Sequence, residues 1–249
     1  MTEAARSQRG LMIPTLAALL ALAVLLALGT WQLERRAWKQ QLIATLTGRL
    51  AAPSASLPAR GAWNRLDAAD TEFHRVAFTA EFQHDQEALV FTSGSALRSD
   101  VTGHGYWVFT PARLPDGGVV VVNRGFVPEG RQDANTRPDG QVRGSQDIVG
   151  AIRWPEPRGI FTPADSPGRN LWFVRDHLGM AATKNWGPVA PFFIDQEAPP
   201  APGGLPRAGR ITPKLPDNHL QYAITWYALA AVLVAIFALW VRSRFRERA

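Results

Sequence analysis

The sequence contains no cysteine in its 249 residues. That excludes disulfides, thiolate metal sites, dithiol redox chemistry and covalent haem attachment through C-x-x-C-H. Also missing are the G-x-S-x-G elbow, H-E-x-x-H, the P-loop and the dinucleotide fingerprint, so the expectation is a protein that is not an enzyme. Histidine is scarce: of the five, His74, His84, His104 and His177 have no second ligand at metal spacing and read as surface or loop residues. The formal net charge is +6, but arginines at the two ends carry most of it. The nearly neutral middle implies no basic groove and no nucleic acid.

What the chain does have is two long uncharged runs, Gly10 to Leu33 and Leu220 to Val241. Each covers about 20 residues, enough to cross a hydrocarbon core of about 30 Å. The layout is therefore a cytoplasmic N-terminus (1–10), a first transmembrane helix (11–33), a folded domain (34–219), a second transmembrane helix (220–241) and a basic cytoplasmic tail (242–249). Arg242, Arg244, Arg246 and Arg248 against Glu247 put that tail inside by the positive-inside rule, and two spans then place both termini inside and the domain outside. Arg35, Arg36 and Lys39 compete with this orientation, but long translocated domains largely escape the charge rule. The first apolar run exceeds the h-region of a secretory signal, so it reads as a retained span rather than a cleaved leader.

Trp38, Leu42, Leu46 and Leu50 recur at four-residue steps and predict an amphipathic helix over 34–50, continuous with the first span. The Pro53 to Pro58 stretch ends it. Alternating or apolar runs predict strands at Arg75–Phe82, Glu87–Thr92, Tyr106–Arg113, Val119–Asn123, Ile148–Arg153 and Phe192–Asp195. Pro115-Asp116-Gly117-Gly118 marks a hairpin, Asp176 to Lys184 a short helix, and Pro199 to Pro216 an extended connector. The fold class is thus two transmembrane α-helices flanking a β-rich, barrel- or sandwich-like α+β domain outside the cytoplasm. The run Val119 to Pro128 reads as a buried strand ending at Asn123-Arg124-Gly125, with Arg124 paired inside the domain and Gly125 in a turn.

His219 opens the second span, where an ionisable ring is costly to desolvate. Tyr222, Trp226 and Ala230 share its stripe, while Trp31, Arg35 and Trp38 share one face of the first helix. Two readings stay open. One is an aromatic belt with snorkelling arginines. The other is a porphyrin site: His219 as axial ligand, Arg35 or Arg36 on the propionates, Trp31, Tyr222 and Trp226 around the macrocycle, and Gly29 and Ala223 permitting close approach.

Taken together, these runs resemble the surfeit locus protein 1 family. The resemblance rests on Gly29-x-Trp31-Gln32-x-x-Arg35-x-x-Trp38-Lys39, Phe73-His74-Arg75-Val76, Gly105-Tyr106-Trp107-Val108-Phe109-Thr110-Pro111, Val122-Asn123-Arg124-Gly125-Phe126-Val127-Pro128, Asn170-Leu171-Trp172 and Asn218-His219-Leu220-Gln221-Tyr222-Ala223-x-Thr225-Trp226-Tyr227. It implies a cytochrome c oxidase assembly factor of the bacterial inner membrane with a periplasmic domain. The cofactor implied is haem a, bound transiently through its iron by His219 and passed toward oxidase subunit I. Partners would be subunit I, haem a synthase and membrane lipid. The alternative is a membrane scaffold that stabilises subunit I without binding haem, with His219 as a hydrogen-bonding group. One departure from the family pattern, Ala80 where glycine is usual, puts a local turn in question.

Overall fold

The computed structural model describes residues 3–213 and 216–246, with side chains from residue 12 onward. The chain divides into a helical unit, Met1–Thr45 with Pro216–Ala249, and a sheet unit, Leu46–Leu215. The described residues form four α-helices: α1 (Glu3–Ala51), α2 (Ala68–Thr71), α3 (His177–Lys184) and α4 (His219–Arg246). They also form eight strands: β1 (Ala55–Ser56), β2 (Arg75–Phe82), β3 (Ala88–Gly94), β4 (Thr102–Arg113), β5 (Val119–Pro128), β6 (Ser145–Arg153), β7 (Leu171–Trp172) and β8 (Phe193–Ala198).

In the helical unit, α1 and α4 are each long and apolar enough to cross a membrane. Leu16, Leu20, Ile236 and Leu239 stand largely exposed, the disposition expected of helices solvated by lipid. The two helices meet through small residues. Ala223 and Ala230 are buried. Gly29 lies so near Tyr227 that an added Cβ would stand 2.8 Å from its ring. Thr30 Oγ1 and the Tyr227 hydroxyl share a hydrogen bond of 3.1 Å.

The sheet unit is built on one mixed sheet in the order β1-β2-β6-β8-β5-β4-β3-β7, with a further pairing of β2 and β4. That extra pairing, Glu81 opposite Arg113 and Phe82 opposite Ala112, joins β2, β6, β8, β5 and β4 into a closed ring. Each ring strand sends apolar residues into one cluster: Val76 and Ala80, Ile148 and Ile152, Ile194, Val120 and Val122, and Ala112. Their neighbours point the other way, as strand alternation requires. Val121, Phe193, Trp107 and Phe109 form a second cluster, covered by Met180 and Ala181 of α3. Asp176 caps α3 by accepting from the Leu178 and Gly179 amides at 3.1 and 3.2 Å.

Several sequence expectations change here. The strand expected to end at Asn123-Arg124-Gly125 runs on to Pro128. Its ladder with β4 skips from Trp107–Phe126 to Phe109–Asn123, so Arg124 and Gly125 together face Val108 in a bulge. Gly125 has φ +119°, and a Cβ there would meet the Arg207 carbonyl at 2.2 Å. Ala80 sits in the middle of β2, paired with Gln146, where there is no turn to disturb. The connector after Pro199 is stitched to the sheet: Arg207 and Phe126 exchange both backbone hydrogen bonds, at 2.8 and 3.1 Å, and Thr212 donates to the Leu97 carbonyl at 2.8 Å.

His177, expected at the surface, is the first residue of α3 and fully buried. Its Nε2 lies 2.9 Å from the Ala190 carbonyl, and Nδ1 has no partner. Burial pushes its pKa down to about 4 from an ordinary 6.5, against smaller opposing effects of that carbonyl and of Asp176. The unfolded chain therefore takes up a proton near pH 6.5 that the folded chain refuses until about 4. This contribution to stability is complete above pH 6.5 and is lost as pH falls through that window, by about 1.4 kcal/mol per pH unit at most. Thermal unfolding of the detergent-solubilised chain between pH 4.5 and 7 should show this loss. His177→Gln, which keeps a donor for Ala190 but does not titrate, should show a shallower slope; equal slopes would rule the assignment out.

Candidate functional site

Within the helical unit, α4 begins at His219 because Asp217 accepts from its backbone N–H at 3.1 Å. Asp217 also lies 3.9 Å from Arg36 of α1, and Lys39 donates to the Pro216 carbonyl. These contacts hold the start of α4 against α1 one to two turns beyond Trp31. The half-buried His219 ring then meets Gln32, with Nδ1 2.7 Å from the amide oxygen Oε1. An amide oxygen can only accept, so Nδ1 carries the hydrogen. Nε2 is then the nitrogen left over, and it has no hydrogen-bond partner among the described residues. A ring whose second nitrogen donates to a carbonyl oxygen is the arrangement that orients imidazoles for metal ligation.

The other sequence candidates are only partly gathered around this ring. Trp31 is 53 % exposed and Tyr222 55 % exposed. Trp226 is half-buried in an apolar groove shared with Leu25, Leu28 and Leu229. The Arg35 guanidinium stacks 4.1 Å above the Trp38 ring, as a cation–π pair, and has no acidic partner among the described residues. Ala223 and Gly29 do lie in the helix contact. Gln32, quoted in the sequence as part of a motif but given no role, proves to be the residue that fixes the histidine. Its signal was there: a polar amide at the end of an apolar run needs a partner.

The sheet unit holds two buried ionic clusters that sequence reasoning did not assemble. In the first, Asp195 of β8 accepts from Asn123 of β5 at 2.7 Å, Arg153 of β6 at 3.0 Å and Arg175 at 3.3 Å. Arg153 and Arg175 also reach Glu156, and Arg153 reaches Glu72 at 3.2 Å. In the second, Glu87 lies between two arginines, Arg124 at 3.1 Å and Arg137. Arg124 also donates to His84 Nδ1 at 3.1 Å and to the Gly140 carbonyl. His84 spends its other nitrogen on the Val142 carbonyl at 2.7 Å, and burial first, then Arg124, holds its pKa below the ordinary value. The expectation that Arg124 pairs inside the domain is met.

These features define a class of protein: a closed-ring sheet domain, internally braced by ion clusters and flanked in the chain by two helices fit to span a membrane, one of which presents an oriented histidine. The SURF1 family model matches residues 19–231, and the chain belongs to that family. It is 39 % identical over 224 residues to a SURF1-like protein of Monosiga brevicollis, covering 86 % of this chain and 82 % of that one. It is 36 % identical over 235 residues to Surfeit locus protein 1 of Rattus norvegicus (90 % and 74 %). The human Surfeit locus protein 1 is 35 % identical over 230 residues (88 % and 73 %).

The two ionic environments predict very different sensitivities. Glu87→Gln leaves two buried guanidinium groups without a counter-charge and should destabilise the sheet unit by roughly 3–5 kcal/mol. Asp165→Asn removes the partner of the more exposed Arg158 and should cost less than about 1 kcal/mol. Denaturant midpoints of both variants in detergent, set against the parent protein, check the contrast; comparable losses would contradict it.

Proposed function

We propose that this chain is an assembly factor for cytochrome c oxidase that binds haem a and assists its insertion into subunit I. Membership of the SURF1 family supports the assembly role. The observation that carries the haem reading is the Gln32–His219 hydrogen bond, which leaves Nε2 of an oriented ring as a potential axial ligand. The donor set fits the group. His219 would hold the iron, the acid-free Arg35 would meet a propionate, and Trp31, Tyr222 and Trp226 would supply apolar surface for the macrocycle. When bound, the haem would be cargo rather than a catalyst. The chain's own residues would orient it through Gln32 and His219 and release it to the partner.

The arginine tail after α4 supports an orientation in the inner membrane with both termini cytoplasmic and the sheet unit periplasmic. Because the natural sequence has no cysteine, single introduced cysteines report the topology without background. Ser54→Cys should react with a membrane-impermeant maleimide in cells with a permeabilised outer membrane, and Ser243→Cys only after the inner membrane is disrupted. The reverse pattern would overturn the orientation.

A second reading, a scaffold for subunit I with no haem of its own, is favoured by the same hydrogen bond taken as a tie between the helices. Haem content separates the two. Protein purified from cells producing haem a should carry it, His219→Ala should lose most of it, and Gln32→Leu should weaken retention about 10- to 100-fold. Equal haem content in all three would remove the ligand role. Co-purification with subunit I regardless of haem supply would then favour the scaffold.

A further inference from the structure

The Glu87 cluster is unbalanced in a way its neighbour is not. Glu87 is the one acid within ion-pair distance of Arg124 or Arg137 among the described residues, so two guanidinium charges share one carboxylate. Both arginine side chains are nearly inaccessible, at 4 % and 1 % exposed. In the Asp195 cluster the surplus charge is negative, but it falls on Glu72 and Glu156, which reach solvent at 30 % and 39 %. A surplus charge with so little access to solvent is expensive unless a counter-charge joins it. Burial lowers the Arg124 pKa to about 10, which still leaves it charged at neutral pH.

Arg124 lines a cleft of about 160 Å³ with Phe82, Val142, Gln196, Pro199 and Pro202. Its Nη1 and Nη2 are taken by Glu87, His84 and Gly140, while Nε makes no hydrogen bond. Gln196, also buried, donates through Nε2 to the Pro199 carbonyl at 2.9 Å and has its Oε1 enclosed without a donor. The cleft therefore offers one cation, through Arg124 Nε, against an apolar wall. It falls below the roughly 300–1,000 Å³ of sites for drug-sized ligands and suits a group about the size of one residue.

We propose that this cleft binds a carboxylate supplied by a partner protein as a chain terminus or an acidic side chain. The carboxylate completes the charge of the Glu87 cluster by accepting from Arg124 Nε. The site is independent of any haem role for His219.

The test uses the full chain in detergent with three probes: acetyl-Ala-Ala with a free carboxylate, its C-terminal amide, and acetyl-Asp amide. Titration calorimetry, with the unfolding temperature as a second readout, should show a carboxylate probe binding at least tenfold more tightly than the amide. The stronger of the two carboxylates identifies a terminus or a side chain as the source. Ala201→Phe, on the rim and outside the ionic cluster, should abolish binding while leaving the unfolding temperature of the unliganded protein nearly unchanged; Arg124→Gln should abolish it too, at a cost in stability. No carboxylate binding by the folded parent protein at concentrations on the order of 10 mM, equal binding of acid and amide, or full retention in Ala201→Phe would each overturn the proposal.

Discussion

Two residue pairs, Glu81 with Arg113 and Phe82 with Ala112, decide the architecture of the sheet unit. Without them the sheet would be open, with β2 and β4 far apart in strand order. With them, five strands close on one another and share an interior. Closure removes edges from those strands and leaves short β1 and β7 at the ends of the remaining order, where a two-residue strand offers little template for further pairing. It also fixes the interior composition. A five-stranded ring has little room, so its inward residues are mostly small or branched: Val76, Ala80, Ala112, Val120, Val122 and Ile148.

Closure also explains where the ions lie. The ring's interior is apolar, so charged residues on its strands must leave by the other face or at a strand end. Asp195, Arg153 and Asn123 come from three strands that pair in sequence, β6 with β8 and β8 with β5. The β5 bulge at Arg124 and Gly125 shifts the alternation beyond it, so that Phe126 joins the same cluster as Val121. Asn123 and Arg124, neighbours in sequence, take opposite faces as strand alternation requires, so Asn123 reaches Asp195 while Arg124 reaches Glu87 just before β3.

Much of this was legible beforehand, for reasons that can be stated. Arg75–Phe82 was readable because its alternation matches a half-buried strand, and the structure returns the same bounds. The helices were readable because a membrane span leaves no compositional choice. The bulge was not, since a glycine after Asn-Arg satisfies a turn and a bulge equally well until the β4 register is known. Strands β1 and β7 are too short for any periodicity. The ion clusters escaped because partners such as Glu87 and Arg137, or Asn123 and Asp195, meet only through tertiary folding. His177 was misplaced because a histidine at a helix start reads as polar, while its single hydrogen bond to Ala190 lets a neutral ring be buried there.

The five histidines, taken together, sharpen the case for His219. His84 uses both ring nitrogens, on Val142 and Arg124. His177 uses one, and encloses the other where no ligand of any size can reach. His74 is exposed, with no side-chain hydrogen bond to fix its ring among the described residues. His104 is also exposed, and among the described residues its ring makes only a tilted contact with Phe91, 5.7 Å between ring centres. Ligation needs an oriented ring and a reachable lone pair at once. His219 alone of the five meets both conditions, because Gln32 fixes one nitrogen and leaves the other accessible. The selection follows from hydrogen-bond geometry within the helical unit and would stand had the sequence resembled nothing known.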